Sequence, residues 1–95
     1  MSAHIILESC RSLDRMIATE RQVKGSCSHC HAEQSVDLDQ LRRRVGGSYS
    51  LFNRRCRCAL TPGCPGWVRF FYLHGVWRPL WDEGTMLRWY SHKAV

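Results

Sequence analysis

"RCRCALTPGC", residues Arg55 to Cys64, places three cysteines within ten residues of a 95-residue chain. A second cysteine motif, "CSHC", lies upstream at Cys27 to Cys30. Two cysteine groups separated by a long loop are typical of a four-thiolate metal site, in which each group supplies two ligands. These two stretches therefore indicate the site around which the rest of the chain folds.

The downstream stretch offers three cysteines for two ligand positions. Cys58 and Cys64 enclose "ALTPG", whose Pro-Gly turn folds the chain back and brings the two sulfurs together. Cys56 lies only two residues before Cys58, and both would reach one ion only if the chain bent sharply between them. The predicted ligands are Cys27, Cys30, Cys58 and Cys64, with Cys56 in place of Cys58 as the main alternative.

The predicted metal is zinc, which prefers a tetrahedral set of thiolate and imidazole ligands. Iron in a four-thiolate site is an alternative that the spacing does not exclude. His29 and His31 flank the first motif, and we expect them to be exposed turn residues rather than ligands. A filled four-thiolate site has no open position for water or substrate, so this zinc is expected to be structural.

No enzymatic activity is expected from the remaining residues. The chain contains no Gly-rich phosphate loop, nucleophile elbow or paired-carboxylate arrangement, which are the patterns that would indicate catalysis.

A chain this short is expected to need a bound metal or disulfides for stability. Ninety-five residues predict a single domain over residues 1–95, and small domains often depend on a metal or on disulfides. The start, "MSAHIILESCRSLDR", lacks the features of a secretory signal, and no apolar run approaches the roughly 20 residues that span a bilayer. We therefore expect a cytoplasmic protein without a membrane partner, in which paired cysteines bind metal. The alternative to a cytoplasmic metal-binding protein is an exported domain stabilised by disulfides.

The N-terminal half is expected to contain two short helices between short strands. "HIILES" (4–9) reads as a strand, and Ser12 is a plausible N-cap for a helix over "LDRMIATE" (13–20). "QSVDL" (34–38) reads as another strand. Asp39 is then expected to cap a helix over "QLRRRV" that the following Gly-Gly ends.

The C-terminal third is expected to be an antiparallel β-meander. "WVRFFYL" (67–73) is dense in residues that favour strands, and "HG" forms a tight loop into "VWRPLW" (76–81). The turn "DEG" then leads to a third strand over "TMLRWY" (85–90). The fold class predicted from these elements is α+β, with short N-terminal helices and a C-terminal meander.

Basic residues are concentrated in the second part of the chain. The net charge is +6, yet residues 1–40 hold four basic against six acidic residues, whereas residues 41–95 hold ten against two. An Arg-rich half indicates an anionic partner, and nucleic acid, DNA or RNA, is the usual candidate. The candidate nucleic-acid-binding residues are Arg42, Arg43, Arg54, Arg55, Arg57 and Arg69. Candidate base-stacking residues are Trp67, Phe71, Trp77, Trp81, Trp89 and Tyr90.

The order of these motifs resembles a group of small, largely uncharacterised bacterial zinc-ribbon proteins. Their pattern is a short Leu-rich helix, a C-x-x-C motif, an "LDLxxL" helix start, an "RxRC" approach and a final Cys-Gly. Within residues 12–66, "SLDRMIA", "CSHC", "VDLDQL" and "RCRC" match it. The match puts Cys58 at the third ligand position. The resemblance implies metal binding and a ribbon fold, but no activity.

This chain departs from the group's pattern in its second cysteine motif. "ALTPG" lengthens the motif to five intervening residues, and Pro65 separates Cys64 from Gly66. The aromatic C-terminal third lies outside the resemblance.

Two further functions compete with nucleic-acid binding. A Trp-rich sheet would suit a protein-interaction module, in which the arginines provide solubility or steering. Alternatively, Cys56 beside a metal thiolate and several arginines would act as a redox sensor if its pKa were lowered.

Overall fold

A computed structural model describes residues 10–91, so the strand expected at residues 4–9 lies outside the described residues. The helices and strands are α1 (Leu13–Ala18), β1 (Val23–Cys27), β2 (Glu33–Ser35), α2 (Leu38–Val45), β3 (Arg55–Arg57), β4 (Trp67–His74), β5 (Val76–Pro79) and α3 (Glu83–Ser91). The protein is an α+β structure with an antiparallel sheet and a cysteine cluster.

The first helix begins where its capping residue predicts. The side chain of Ser12 accepts a hydrogen bond from the Arg15 amide at 3.2 Å, which satisfies one of the free N–H groups of the first turn. Leu13 and Met16 lie three residues apart on one face of α1, and both are fully buried.

The boundary between β2 and α2 differs from the sequence prediction. The strand ends at Ser35, and Asp37 rather than Asp39 caps the helix, by accepting a hydrogen bond from the Gln40 amide at 3.0 Å. Leu38 therefore opens the helix instead of closing the strand. At the other end the helix stops at Gly46, whose φ of +92° suits a residue without a side chain.

Strand β4 is the centre of the sheet. It pairs antiparallel with β1 over residues 68–72, while β3 and β5 pair with its two ends, at residues 67–69 and 71–74. Strand β2 extends the sheet on the far side of β1. Two hairpins, β1–β2 and β3–β4, are thus joined side by side through β1 and β4.

The prediction of a third strand at the end of the meander is wrong. Residues 85–90 belong to α3, which spans Glu83–Ser91. Asp82 caps this helix, because its carboxylate accepts a hydrogen bond from the Thr85 amide at 2.8 Å. The side chain and backbone of Asn53 also bond to Asp82 and Leu80, which fastens the start of α3 to the chain just before β3.

The two faces of the sheet have different surroundings. Val23 of β1 and Tyr72 of β4 share the core face and pack with α1 around one buried cluster. Arg69 and Phe71 point to the opposite face, which we call the outer face, where Trp81 covers them. Among residues 10–91, none of the helices has the length and apolarity needed to cross a bilayer.

Candidate metal centre

The sheet topology brings the two cysteine motifs to one end of the molecule. Cys27 ends β1 and lies opposite Val68 near the start of β4. Cys30 follows in the loop of the β1–β2 hairpin, and the loop of the β3–β4 hairpin contains Cys58 and Cys64. Because β1 and β4 are neighbouring antiparallel strands, the loop after β1 and the loop before β4 must meet.

Backbone amides in the first loop point at a sulfur. The amides of His29 and Cys30 donate hydrogen bonds to the Cys27 Sγ at 3.3 and 3.4 Å. His31 ends the loop with a φ of +64°, and its amide donates to the Cys27 carbonyl at 3.1 Å. The tight turn that results presents both cysteine side chains to the same side.

The second loop is longer, and other hydrogen bonds bring its two cysteine sulfurs together. The Cys58 amide donates to the Gly66 carbonyl at 3.0 Å, and the Cys64 amide donates to the Thr61 carbonyl at 3.1 Å. The Gly66 amide in turn donates to the Cys64 Sγ at 3.4 Å. Five residues therefore separate the two cysteines without moving their sulfurs apart.

The four sulfurs are spaced as ligands of one ion. The distance from Cys27 Sγ to Cys64 Sγ is 3.7 Å, and that from Cys30 Sγ to Cys58 Sγ is 3.8 Å. All four sulfurs lie within 4.8 Å of one another. Four sulfurs placed tetrahedrally about 2.3 Å from a metal are about 3.8 Å apart, whereas a disulfide needs about 2.05 Å. The cluster can hold a metal ion.

Hydrogen bonds stabilise thiolates in the first loop. Burial acts to raise the pKa of the Cys27 thiol, but the amides of Cys30 and His29 outweigh it and bring the pKa below its usual value. For Cys30, a hydrogen bond from the Thr61 hydroxyl at 3.3 Å is the main cause that lowers the pKa to about 6. Both side chains are therefore suited to bind a metal as thiolates.

The fourth thiol shows what a cation would supply in the cluster. The Gly66 amide favours the thiolate of Cys64, yet burial and the neighbouring thiols together raise its pKa to about 12. Four negative charges within 4.8 Å repel one another. A metal cation removes this repulsion and allows all four sulfurs to be ionised.

The sequence pattern includes Gly66 only as the end of the final Cys-Gly motif, and it gives no role to Thr61. A Cβ on Gly66 would lie 2.5 Å from the Cβ of His29 and 2.7 Å from the Cys27 Sγ, so only glycine fits there. The sequence signal for Gly66 is its position directly after the Cys64–Pro65 pair. Nothing in the sequence pattern points to the Thr61 hydroxyl.

Of the two candidates for the third ligand position, Cys58 lies in the cluster and Cys56 lies outside it. Cys56 pairs with Val68 in the sheet and is exposed. Partial burial, and after it the charge of Cys58, raises the pKa of the Cys56 thiol. A redox sensor would need a lowered pKa, so that prediction is wrong for Cys56. His29 and His31 are both exposed and contribute no atom to the four-sulfur cluster.

The predicted nucleic-acid-binding arginines do not form one surface. Arg55, Arg57 and Arg69 lie on the outer face of the sheet, where their guanidinium groups stack on tryptophans. Arg55 lies 4.1 Å from the ring centre of Trp67, and Arg69 lies 4.6 Å from that of Trp81. These cations stabilise the sheet by cation–π contacts.

The other three predicted arginines lie around α2 and the loop before β3. Arg42 forms an ion pair with Asp14 at 2.6 Å. Arg43 is exposed on α2. Arg54 is exposed, with its guanidinium 4.9 Å from the ring centre of Tyr49.

Comparisons of the chain with protein-family models, with curated proteins and with solved structures found no match.

Proposed function

We propose that this chain is a small zinc-ribbon protein whose zinc is structural. The observation that carries the proposal is the pair of sulfur–sulfur distances, 3.7 and 3.8 Å, across four cysteines. Four thiolates complete the coordination of zinc and leave no position for a substrate. The metal then joins two hairpins whose loops, residues 28–32 and 58–66, add no residue to the buried core cluster.

Metal analysis and chelation test this part of the proposal. The purified protein is expected to contain one zinc per chain and to lose its cooperative thermal transition when a strong chelator removes the metal. Elemental analysis also separates zinc from iron. A metal-free protein with an unchanged melt in chelator would refute the proposal.

We further propose that the zinc-stabilised domain binds nucleic acid. Support comes from Arg43, Arg44 and Arg54, which are exposed and, within residues 10–91, unpaired with any carboxylate. The net charge of +6 adds long-range attraction for a polyanion. We do not extend the proposal to the outer face, because Trp67, Trp81 and Trp89 there are already in contact with arginines or with each other.

A salt titration tests nucleic-acid binding. Binding of a single-stranded oligonucleotide, followed by mobility shift, should weaken steeply with salt because phosphate contacts release counterions. Arg43→Gln is expected to make that salt dependence shallower by about one phosphate contact. Trp77→Ala on the outer face is the matched control and should bind like the native chain. Absence of any retention at low salt would refute this function.

A further inference from the structure

A cavity of about 330 Å³ opens on the core face of the sheet, and none of the four clustered cysteines lines it. It lies between α2, the loop before β3, and the strands β3 and β4. This volume falls at the lower end of the range for sites that hold small molecules. The lining residues that matter for its chemistry are Leu41, Arg44, Tyr49, Arg54, Cys56 and Phe70.

The wall of the cavity is apolar and aromatic. Tyr49, Phe70 and Leu41 are half-buried and pack against the hydrophobic core, which fixes them in place. Phe70 offers a flat surface on which a planar ring can stack. The ring of Tyr49 already has the guanidinium of Arg54 4.9 Å from its centre, so this pair forms the junction between the aromatic wall and the cationic rim.

The rim of the cavity is cationic. Arg44 and Arg54 both line it, both are exposed, and neither is paired with a carboxylate within residues 10–91. The guanidinium of Arg55 is held elsewhere, between Trp67 and Trp89 on the outer face. Asp37 is the one acidic residue among the lining side chains, and its carboxylate caps α2 through the Gln40 amide.

We propose that this cavity binds a single nucleotide unit, with the base against the aromatic wall and the phosphate at Arg44 and Arg54. The proposal rests on the proposed nucleic-acid-binding function and names the part of the ligand that is recognised. A purely apolar ligand would leave both guanidinium groups unused. An inorganic anion would leave the apolar wall exposed. A nucleotide matches both, whether it is free or an unpaired residue of a nucleic acid strand.

Cys56 provides a direct reporter of occupancy. It lines the cavity and is exposed, whereas Cys10 is fully buried and the other four cysteines form the metal cluster. Alkylation of the zinc-loaded full chain by a maleimide, mapped by mass spectrometry, should therefore modify Cys56 first. Adenosine monophosphate is expected to slow this reaction in a saturable manner, whereas inorganic phosphate should not.

The two arginines should set the affinity for the nucleotide. Arg44→Gln and Arg54→Gln are each expected to raise the concentration of adenosine monophosphate needed for protection by about tenfold, as loss of a charge-assisted hydrogen bond does. Arg78→Gln, on β5 and outside the cavity lining, should leave protection unchanged. All three side chains are exposed, so the variants are expected to fold. Equal protection in Arg44→Gln, Arg54→Gln and the native chain would overturn the proposal.

A second arm uses a single-stranded oligonucleotide in both the mobility shift and the alkylation assay. Protection of Cys56 by both the mononucleotide and the oligonucleotide supports the proposal. Protection by the mononucleotide without oligonucleotide binding keeps the nucleotide site and refutes the nucleic-acid-binding function. Oligonucleotide binding with Cys56 fully reactive under both ligands overturns the cavity proposal and leaves the broader function standing.

Discussion

Cys56 and Cys58 are two residues apart, and the end of β3 separates their roles. Residues at i and i+2 of a strand share one face, so alternation alone would place the two side chains together. The strand stops at Arg57, however, and the Cys58 amide bonds to the Gly66 carbonyl across the loop. Cys58 thereby joins the metal cluster, while Cys56 stays on the sheet.

Substitution of these two cysteines should have opposite results. Cys58→Ser is expected to lose the metal and the cooperative melt, because three thiolates remain and breaking a structural zinc site removes much of the folding free energy. Cys56→Ser should keep one zinc per chain and change the free energy of unfolding by less than about 0.5 kcal/mol, since its side chain is exposed. Metal content and thermal unfolding of both variants are the measurements. Loss of zinc from Cys56→Ser would contradict the assignment.

Gly66 lies at a position where the candidate metal centre leaves no room for a side chain. A methyl group there would meet the Cys27 Sγ at 2.7 Å, so Gly66→Ala is expected to displace a ligand and weaken zinc binding by at least about tenfold. Gly84→Ala is the matched control, because a Cβ at that helical position meets its nearest neighbour at 3.7 Å. It should retain zinc and stabilise α3 by about 0.5–1 kcal/mol. Competition with a chromogenic chelator measures both affinities.

At the scale of elements, α3 and the outer face depend on each other. Trp81 lies just before the helix and is 8% exposed. Its ring contacts Phe71 of β4 edge-on at 5.1 Å between ring centres and Trp89 of α3 at 5.9 Å. The guanidinium of Arg69 stacks on the same ring. One tryptophan thus connects the central strand to the C-terminal helix.

Two tryptophan substitutions distinguish packing from surface exposure on this face. Trp81→Ala should destabilise the fold by about 3–5 kcal/mol, because it leaves a cavity between sheet and helix. Trp77→Ala should cost about 0.5–1 kcal/mol, since that ring is 39% exposed and its contact is with the Lys24 ammonium, 4.6 Å from the ring centre. Urea unfolding of the zinc-loaded variants tests this order. Equal effects would contradict the packing role of Trp81.

Asp82 explains why the last predicted strand is a helix. The amide and hydroxyl of Thr85 lower the pKa of the Asp82 carboxyl, so the group is ionised at neutral pH and suits a helix N-terminus. Asp82→Ala is expected to cost about 1 kcal/mol at pH 7, as lost N-caps do. Glu83→Ala, one residue later and exposed, should cost less than about 0.5 kcal/mol. Both values are read from denaturant unfolding, and a larger loss in Glu83→Ala would contradict the capping role.

At the scale of the whole molecule, the sequence predicts the local features and misses the long-range ones. The cysteine spacing, the Ser12 cap and the β4–β5 hairpin follow from neighbouring residues, and the structure has each of them. The pairing of β1 with β4 joins residues more than forty positions apart, and no local pattern encodes it. The aromatic residues within 85–90 favour a strand, so the pattern there predicts the wrong element, although Asp82 and Glu83 are a helix-start signal.

The cavity beside α2 also belongs to the whole molecule. Its walls come from α2, the loop before β3 and two strands, which meet only in the folded chain. The sequence predicts Arg54 as a candidate contact but does not place it beside Arg44 and Tyr49. The sequence also predicts Arg55, Arg57 and Arg69 as nucleic-acid contacts, whereas in the fold these three lie against tryptophans.

The most direct test of the account is X-ray absorption at the zinc edge of the purified, metal-loaded protein. The sulfur positions predict a single shell of four sulfur ligands at about 2.3 Å and no nitrogen. A shell that included imidazole nitrogen from His29 or His31, or a protein that bound no zinc, would contradict the four-cysteine centre.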